Sequence, residues 1–330
     1  MSIWEKMLNL DRRWIFLLIG IACVVPFFTP LGLPILPSQE VVSIYDYMEN
    51  LTTDNAIFVG FDFDPGTAAE NMPMGVAVLR HAFARHIPVF ITAYGPLGQG
   101  MAAMALDEIT DEESDDYYVY VNWEDWASIR EQGITDRAGI EEAWIAAGNT
   151  LSENAHGWVF EGRDVAFLGY LPYFHLVILG MSSSIASQYP TDIGGTPLEE
   201  MPMYQEHKSL RDIDLAVTTA GSSACVAWIT YGREKIGLPV AFGVTAVMAT
   251  DYYIYIQSGQ IIGQMGGLRG AAEYETLLLR DGYTKSPGKA FVGMDVQSIA
   301  HLLIIFLVVL GNIAFFAGGF NKKTKLKGRR

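Results

Sequence analysis

Cysteine is almost absent from this sequence, which has two, Cys23 and Cys225, among 330 residues. Cys23 lies in a long apolar run near the N-terminus, and Cys225 lies in the more polar region that follows. A disulfide within that region is therefore excluded. Its stability has to come from a hydrophobic core, which a composition of 50% hydrophobic residues can supply.

Positive charge is also scarce, because 22 Lys and Arg face 37 Asp and Glu, a net charge of −15. Between the two apolar runs described below, 13 basic residues face 35 acidic ones, and the net charge is −22. Such a surface repels phosphate backbones, so nucleic acid is excluded as a partner. It suits a solvated domain outside the cytoplasm or a partner with basic patches.

Signals for metals and nucleotides are missing too. His81 and His86 are five residues apart and miss the i, i+4 spacing of paired helical ligands. The acidic run 107–116 lacks the ordered spacing of a calcium loop and predicts an exposed loop. The glycines of segment 94–100 match neither a P-loop nor a dinucleotide fingerprint, although its amides suit an anion. No cofactor is predicted from these patterns.

Two long apolar runs predict membrane anchors. Ile299 to Phe320 has 22 residues without formal charge, which as a helix is about 33 Å long and can cross a bilayer. Trp14 to Phe28 is shorter and reaches that length only if it continues through prolines to Leu36. A cleaved signal peptide is the alternative for the first run, but no small-residue cleavage site follows it.

Lysine and arginine next to these runs predict the topology. Basic residues precede the first run and follow the second, which places both termini in the cytoplasm. The predicted order is a cytoplasmic N-terminus at 1–13, an anchor with a proline-rich exit at 14–36, an extracytoplasmic domain at 39–290, a transmembrane helix at 297–320 and a basic cytoplasmic tail at 321–330. The lipid bilayer is thus the first predicted partner, at the cell membrane.

Apolar strands that alternate with helices predict the fold of the domain. Buried strands are expected at 56–61, 88–93, 165–170, 212–219 and 239–244, with an edge strand at 117–123. Helices are expected at 68–86, 97–106, 140–151 and 225–235, and a buried helix at 171–185. This alternation predicts an α/β fold with one doubly wound, mostly parallel, Rossmann-like sheet.

A glycine-rich stretch, Ser258 to Glu275, predicts a contact surface. Its glycines are spaced 4, 3, 1 and 3 residues apart and share one face of a predicted helix. In a helix each costs about 1 kcal/mol relative to alanine, so a close neighbour has to offset the cost. The sequence thus predicts a homo-oligomer or helix contact, or a contact with other membrane proteins, made by Gly259, Gly263, Gly266, Gly267 and Gly270.

Two carboxylates, Asp62 and Asp64, come directly after the first buried strand. With Thr67 they resemble the D-x-D-G-T signature of the haloacid dehalogenase superfamily, except that Pro65 is inserted. The resemblance implies Asp62 as nucleophile, Asp64 as acid and base, and both as Mg²⁺ ligands. Other roles would fall to Thr218 or Thr219, Lys235 and Asp251. The alternative is a turn and helix cap made by Asp64.

Hydroxyl groups after a later strand add ligand candidates. Ser222 and Ser223 follow the strand predicted at 212–219, and together with Thr67 they are candidate ligand-binding residues. The order G-x-S-x-G of a hydrolase elbow is missing, so helix capping is the alternative. In the second anchor, His301 is a candidate functional residue, and Asn312 predicts an interhelical hydrogen bond.

Three functions remain open on this basis. The first is a membrane-anchored, non-enzymatic scaffold or assembly subunit of a homo-oligomeric or multi-protein membrane complex. The second is a Mg²⁺-dependent phosphatase-like hydrolase that uses Asp62 and Asp64. The third is an extracytoplasmic ligand-sensing domain.

Overall fold

The computed structural model describes residues 11–29 and 31–327. Contacts divide the described chain into two compact units. One unit is the domain 35–290, and the other combines the described residues before 35 with those after 290.

A six-stranded parallel sheet forms the centre of the domain. Its strands are β1 (Ile57–Asp62), β2 (Val89–Ala93), β5 (Val165–Tyr170), β6 (Leu215–Ala220), β7 (Val240–Val244) and β8 (Gln264–Gly266), in the spatial order β5-β2-β1-β6-β7-β8. Every pairing in it is parallel. Counted along the chain this is the order 3-2-1-4-5-6, which confirms a Rossmann-like parallel sheet. The chain reverses direction across the sheet between β1 and β6.

A second, two-stranded parallel sheet pairs β3 (Tyr117–Val121) with β4 (Ala155–Phe160). The sequence therefore predicted the strand at 117–123 but neither its separate sheet nor its partner β4. Glycine and histidine at the start of β4 interrupt the apolar pattern that identifies strands.

Thirteen helices are described. They are α1 (Arg12–Phe28), α2 (Gln39–Glu49), α3 (Ala68–Ala84), α4 (Gly98–Thr110), α5 (Ala127–Arg130), α6 (Arg137–Ala146), α7 (Phe174–Met181), α8 (Pro202–Glu206), α9 (Ala224–Ala227), α10 (Glu234–Ile236), α11 (Ala246–Gln257), α12 (Gly267–Arg280) and α13 (Lys289–Lys327). A π-helical segment, Trp228–Arg233, joins α9 to α10. Two short 3₁₀ turns lie at Leu198–Glu200 and Leu210–Asp212.

Side chains of β1 show that both faces of the main sheet are covered. Phe61 points to α3, where the ring takes the space beside Gly75. Phe58 points to the opposite face and packs against Phe90 and Trp228. All six residues of β1 are buried, as expected for a parallel strand with helices on both sides.

The prediction of one continuous glycine helix at 258–275 is wrong, because only residues 267–275 are helical. Helix α11 ends at Gln257, the chain turns, β8 joins the sheet edge, and α12 begins at Gly267. The glycine spacing matches a helical face only by coincidence. The turn, the strand and the start of the helix each need glycine for a different reason. Gly259 and Gly267 have φ of +71° and +62°, a backbone region that side chains rarely adopt.

The remaining glycines of this stretch are used inside the chain. A Cβ at Gly263 would overlap the carbonyl oxygen of Glu40 in α2. One at Gly266 would lie 2.9 Å from the Cβ of Ala249, and one at Gly270 would lie 2.7 Å from the Met265 backbone. Close packing within the domain accounts for these three glycines, and an intermolecular glycine surface stays a prediction.

Two other predicted segments also differ. The acidic run 107–116 is an exposed loop only in part, because α4 continues to Thr110 and Asp116 is buried. The Asp116 carboxylate contacts Arg80 and His156 and accepts from the Lys285 amide. In the apolar run 171–185 only α7 is helical, and part of it is exposed.

One described helix, over Lys289–Ala317 within α13, is long and apolar enough to cross a membrane. Helix α1 has 17 residues and does not meet that test among the described residues. The bracketing pair of anchors is thus supported only at its C-terminal member. Asn312 donates one N–H of its side-chain amide to the carbonyl of Val308 in its own helix at 2.9 Å, and the interhelical bond stays a prediction.

The proline-rich exit has a partner inside its own unit. The buried carboxylate of Asp295 accepts from the amides of Leu31, Gly32 and Leu33 at 2.9–3.1 Å. Gly32 has φ +62°, which turns successive amides toward one anion. The prolines keep this exit out of regular secondary structure, and Asp295 supplies the hydrogen-bond acceptor for three of its backbone amides.

Candidate functional site

A small pocket lies at the carboxyl edge of the main sheet, where β1 and β6 are neighbours. Ligands of open α/β sheets bind at such a reversal point. The cavity holds about 250 Å³. The described residues that line it come from the ends of β1, β2 and β6 and the start of α7, and they are Asp62, Phe63, Asp64, Thr67, Tyr94, Gly95, Pro96, Leu97, Gly98, Phe174, Gly221, Ser222 and Ala224.

Asp62 is the buried acid of this pocket, with 5% of its surface exposed. Its Oδ1 accepts from the backbone N–H of Tyr94 at 2.5 Å, which ties the end of β1 to the end of β2. Its Oδ2 has no hydrogen-bond partner among the described protein atoms. Burial raises the pKa of Asp62 to about 7, although the Tyr94 amide acts in the opposite direction.

Three more buried polar atoms without a protein partner lie in the same region. They are the hydroxyls of Thr218 and Tyr94 and the indole N–H of Trp228. A Cβ built on Gly60 would lie 3.0 Å from Thr218 Oγ1 and 3.2 Å from Asp62 Oδ2. The Tyr94 and Trp228 rings are 5.9 Å apart. Buried polar groups in native proteins are nearly always paired, so this concentration marks a site.

The loop 95–98 is held tightly over the end of β1. A Cβ at Gly98 would overlap the carbonyl oxygen of Phe61 and lie 3.1 Å from the Cβ of Ala93. Gly98 therefore lets α4 begin directly against β1. This close approach also brings Leu97 and Tyr94 to the pocket.

Asp64 behaves as the turn residue that the alternative interpretation predicted. It is exposed, and its Oδ1 accepts from the Gly66 N–H at 2.9 Å. Thr67 caps the start of α3 by position, and its hydroxyl lies beside Gly221 of the neighbouring loop. The two loops after β1 and β6 thus pack directly on each other.

The structure brings together four of the five predicted ligand or catalytic residues. Asp62, Asp64, Thr67 and Ser222 line the pocket, whereas Ser223 does not. Ser222 Oγ also accepts from the Ala224 N–H at 3.3 Å, as a helix cap. The glycines of 258–275 lie outside the pocket lining.

The other positions implied by the dehalogenase resemblance fit poorly. Lys235 lies in α10, just before β7, and therefore at the amino edge of the sheet. Asp251 is exposed in the middle of α11. Thr219 donates to the Gly60 carbonyl, and Thr218 lies below the pocket.

The residues present do not fit a protein-held Mg²⁺. One oxygen of each carboxylate already accepts a backbone N–H, from Tyr94 for Asp62 and from Gly66 for Asp64. Residues 11–29 and 31–327 contain no cluster of three metal-ligating His, Cys, Asp or Glu. The lining has no Lys or Arg to receive a phosphate group.

Phe174 and Phe63 are the lining residues that sequence reasoning missed. Phe174 lies in the apolar run assigned to a buried helix, and its ring contacts Tyr94 with centroids 5.9 Å apart. The sequence contains one signal for this position. Pro172 interrupts the apolar run between β5 and α7, which indicates a loop there and not a continuous buried helix. Aromatic walls with a few polar groups are typical of small-molecule pockets.

Comparisons with known proteins leave the pocket to be interpreted from its own chemistry. No family model matches the chain, and no curated protein or solved structure matches it.

Proposed function

We propose that the chain is a membrane-anchored α/β domain that binds a small hydrogen-bond-donating ligand, best a primary amine, in the Asp62 pocket. The observation that carries this proposal is the buried, unpaired Oδ2 of Asp62. A donor on the ligand would pair with it, and a cation would lower the cost of ionising the carboxyl. The pocket lining holds two acids and no base.

The charge of the domain supports the same ligand class. Its net charge of −22 between the apolar runs attracts cations and repels phosphate esters and carboxylates. Neutral polyols would find hydrogen-bond acceptors in the pocket, but the negative charge of the domain would not attract them. An ammonium group therefore uses both features of the site.

Binding of ethylamine to the full chain in lipid nanodiscs tests the proposal. Ligand-observed NMR should detect saturable binding to the wild type that is at least tenfold weaker in Asp62→Asn. Asp54→Asn is the matched control, because Asp54 is exposed at the opposite edge of the sheet. Equal binding by all three proteins, or no binding by the wild type, would contradict the proposal.

The pH gives a second arm of this experiment. Because the pKa of Asp62 is about 7, the carboxyl is mostly neutral at pH 6 and mostly charged at pH 8. Ethylamine remains protonated at both values, so we expect tighter binding at pH 8. Asp62→Asn should lose this pH dependence.

An extracytoplasmic position and a two-pass topology belong to the same proposal. They rest on the candidate span in α13 and on the basic residues outside the two apolar runs. In a Cys23→Ala/Cys225→Ala background, an impermeant maleimide should label Glu112→Cys in intact cells. Lys325→Cys should be labelled only after permeabilisation, and the reverse pattern would overturn the orientation.

Assembly is the second candidate function, favoured by one face of α11. Val247 and Ile254, seven residues apart and therefore on one face of the helix, are 85% and 66% exposed, an apolar surface that a soluble helix does not usually present. Val247→Ser/Ile254→Ser should reduce the particle mass in mild detergent if this face holds an oligomer or another membrane protein. Unchanged mass would remove this support.

The hydrolase hypothesis remains a prediction with a direct test. Hydrolysis of a generic phosphate ester with Mg²⁺ is compared between wild type and Asp62→Asn. Activity that depends on Asp62 would favour it over amine binding. Equal activity in both proteins, or none in either, would reject it.

A further inference from the structure

We propose that the domain contains a second ligand site, a cleft between α11 and α12 that binds a free α-amino acid. The cleft holds about 370 Å³, which is within the usual range of small-molecule pockets. Its described lining residues do not overlap with those of the Asp62 pocket. The inference is therefore independent of the amine site proposed above.

The spacing of the lining residues shows that three elements face the cleft. Both helices line it at the spacing 3, 1, 3 of a single helical face, with positions 246, 249, 250 and 253 of α11 and positions 266, 269, 270 and 273 of α12 and its N-cap. Strand β8 presents Gln264 and Gly266, which are two residues apart and so point to the same side of the strand. Each element thus turns one consistent face to the cleft.

Two glycines of the stretch 258–275 lie on these faces. Gly266 and Gly270 line the cleft together with Ala249, whose Cβ lies 2.9 Å from the position of a Cβ on Gly266. Small residues therefore let β8 and the two helices approach closely and still leave space for a ligand.

The side chain of Gln264 is the observation that points to a ligand. It is 3% exposed, and its Nε2 donates to the carbonyl of Ala249 at 3.0 Å, which fixes the orientation of the amide. Its Oε1 is buried and has no hydrogen-bond partner among the described protein atoms. A buried acceptor that has lost water without gaining a donor is unfavourable, so a ligand that supplies the donor is stabilised there.

Groups of opposite charge line the same cleft. Arg269 has an exposed side chain whose Nε donates to Glu273 Oε1 at 2.8 Å. Its two terminal nitrogens donate to no residue in 11–29 or 31–327, and a guanidinium fork of this kind binds a carboxylate with two parallel hydrogen bonds. Glu40, from α2, adds a carboxylate. The cleft therefore offers acceptors for an ammonium group and donors for a carboxylate.

This combination selects an α-amino acid. Its ammonium group can pair with Gln264 and Glu40, and its carboxylate with Arg269. Because the molecule has no net charge, the net charge of −22 between the apolar runs does not repel it, whereas it repels simple carboxylates and phosphate esters. Tyr253, 44% exposed on the cleft face of α11, supplies an aromatic wall for the side chain.

Binding of L-leucine and two analogues tests the proposal. The analogues are 3-methylbutylamine, which lacks the carboxylate, and 4-methylpentanoate, which lacks the ammonium group. Equilibrium dialysis uses the full chain in lipid nanodiscs, with empty nanodiscs as background. Full-length Asp62→Asn is measured beside the wild type, so that the amine site does not contribute. In Asp62→Asn we expect leucine to bind at least tenfold tighter than either analogue.

Variants within the cleft locate the binding. Gln264→Met and Arg269→Gln should each weaken leucine binding at least tenfold, because each removes a partner of a charged group. Arg280→Gln is the matched control, an exposed arginine of the same helix outside the cleft lining, and should change the Kd less than twofold. Arg269 is exposed, so its variant keeps the test valid even if Gln264→Met does not fold.

The outcomes separate this site from the Asp62 pocket. No leucine binding, equal binding of leucine and either analogue, or an Arg269→Gln effect no larger than that of Arg280→Gln would overturn the amino-acid site. None of these results changes the expected binding of ethylamine to the wild type. Conversely, ethylamine that fails to bind would leave the leucine result standing.

Discussion

Asp62 Oδ1 accepts the backbone N–H of Tyr94 at 2.5 Å, so a carboxylate at the end of one strand holds the loop after its neighbour. The same bond leaves Oδ2 as an unpaired acceptor in the protein. One carboxylate oxygen of Asp62 thereby has a structural role, and the other is available to a ligand.

The pH dependence of stability should reveal Asp62 directly. Its pKa is about 7 in the fold and about 3.8 in the unfolded chain. Between these values the folded state binds more protons, so its free energy of unfolding decreases as the pH rises from about 4 to about 7. Asp62→Asn cannot ionise, and we expect it to have a higher Tm than the wild type at pH 8 but not at pH 4.

Thermal unfolding of the detergent-solubilised chain measures this difference. Asp64→Asn serves as the control, because it removes an exposed carboxylate two residues away. Identical slopes in the wild type and Asp62→Asn would show that burial does not perturb this carboxyl. Asp62→Asn also retains Oδ1, so the Tyr94 contact should persist.

Gly98→Ala should destabilise the domain by about 1–3 kcal/mol, the usual cost of overpacking. The added methyl group would overlap the carbonyl oxygen of Phe61, which is backbone and cannot move aside as a side chain could. Gly100→Ala is the matched control two residues later, in open space within the same helix. Alanine should stabilise that position slightly, so Tm values that fall equally would contradict the proposed contact.

Gly263→Ala separates packing inside the chain from contact between chains. Because its Cβ would overlap the Glu40 carbonyl oxygen, we expect a lower Tm with unchanged particle mass in mild detergent. Gly157→Ala, in β4 with no atom near its Cβ position, is the control. A particle that dissociates at unchanged Tm would instead restore the intermolecular role first predicted for this glycine.

Asp295→Ala should release the proline-rich exit. Three backbone amides, from Leu31 to Leu33, would lose their common acceptor, and a hydrogen bond to a charged group contributes about 1.5–3 kcal/mol. Hydrogen exchange of peptides that cover 31–36 should accelerate clearly in this variant. Asp295→Asn keeps one acceptor and should show a smaller effect, while equal protection in all three proteins would argue against the contact.

Local sequence was sufficient for the sheet and for part of the site. Buried strands such as Ile57–Asp62 and Val165–Tyr170 are short apolar runs between turn signals. That local pattern predicts where the strands lie without information from the rest of the chain. Because parallel strands end at one edge, the pattern also indicated where Asp62, Thr67 and Ser222 would meet.

Only the tertiary structure determined the contacts of the glycines and the environment of the pocket residues. Glycine at helical spacing is compatible with a helix face, but Gly263 contacts a residue more than 200 positions earlier in the chain, which no local pattern can show. In the same way, burial of Asp62 and the loss of a partner for its Oδ2 depend on which loops pack together. Local propensity depends on neighbouring residues, whereas the desolvation of a side chain and the close approach of two backbones depend on residues distant in sequence.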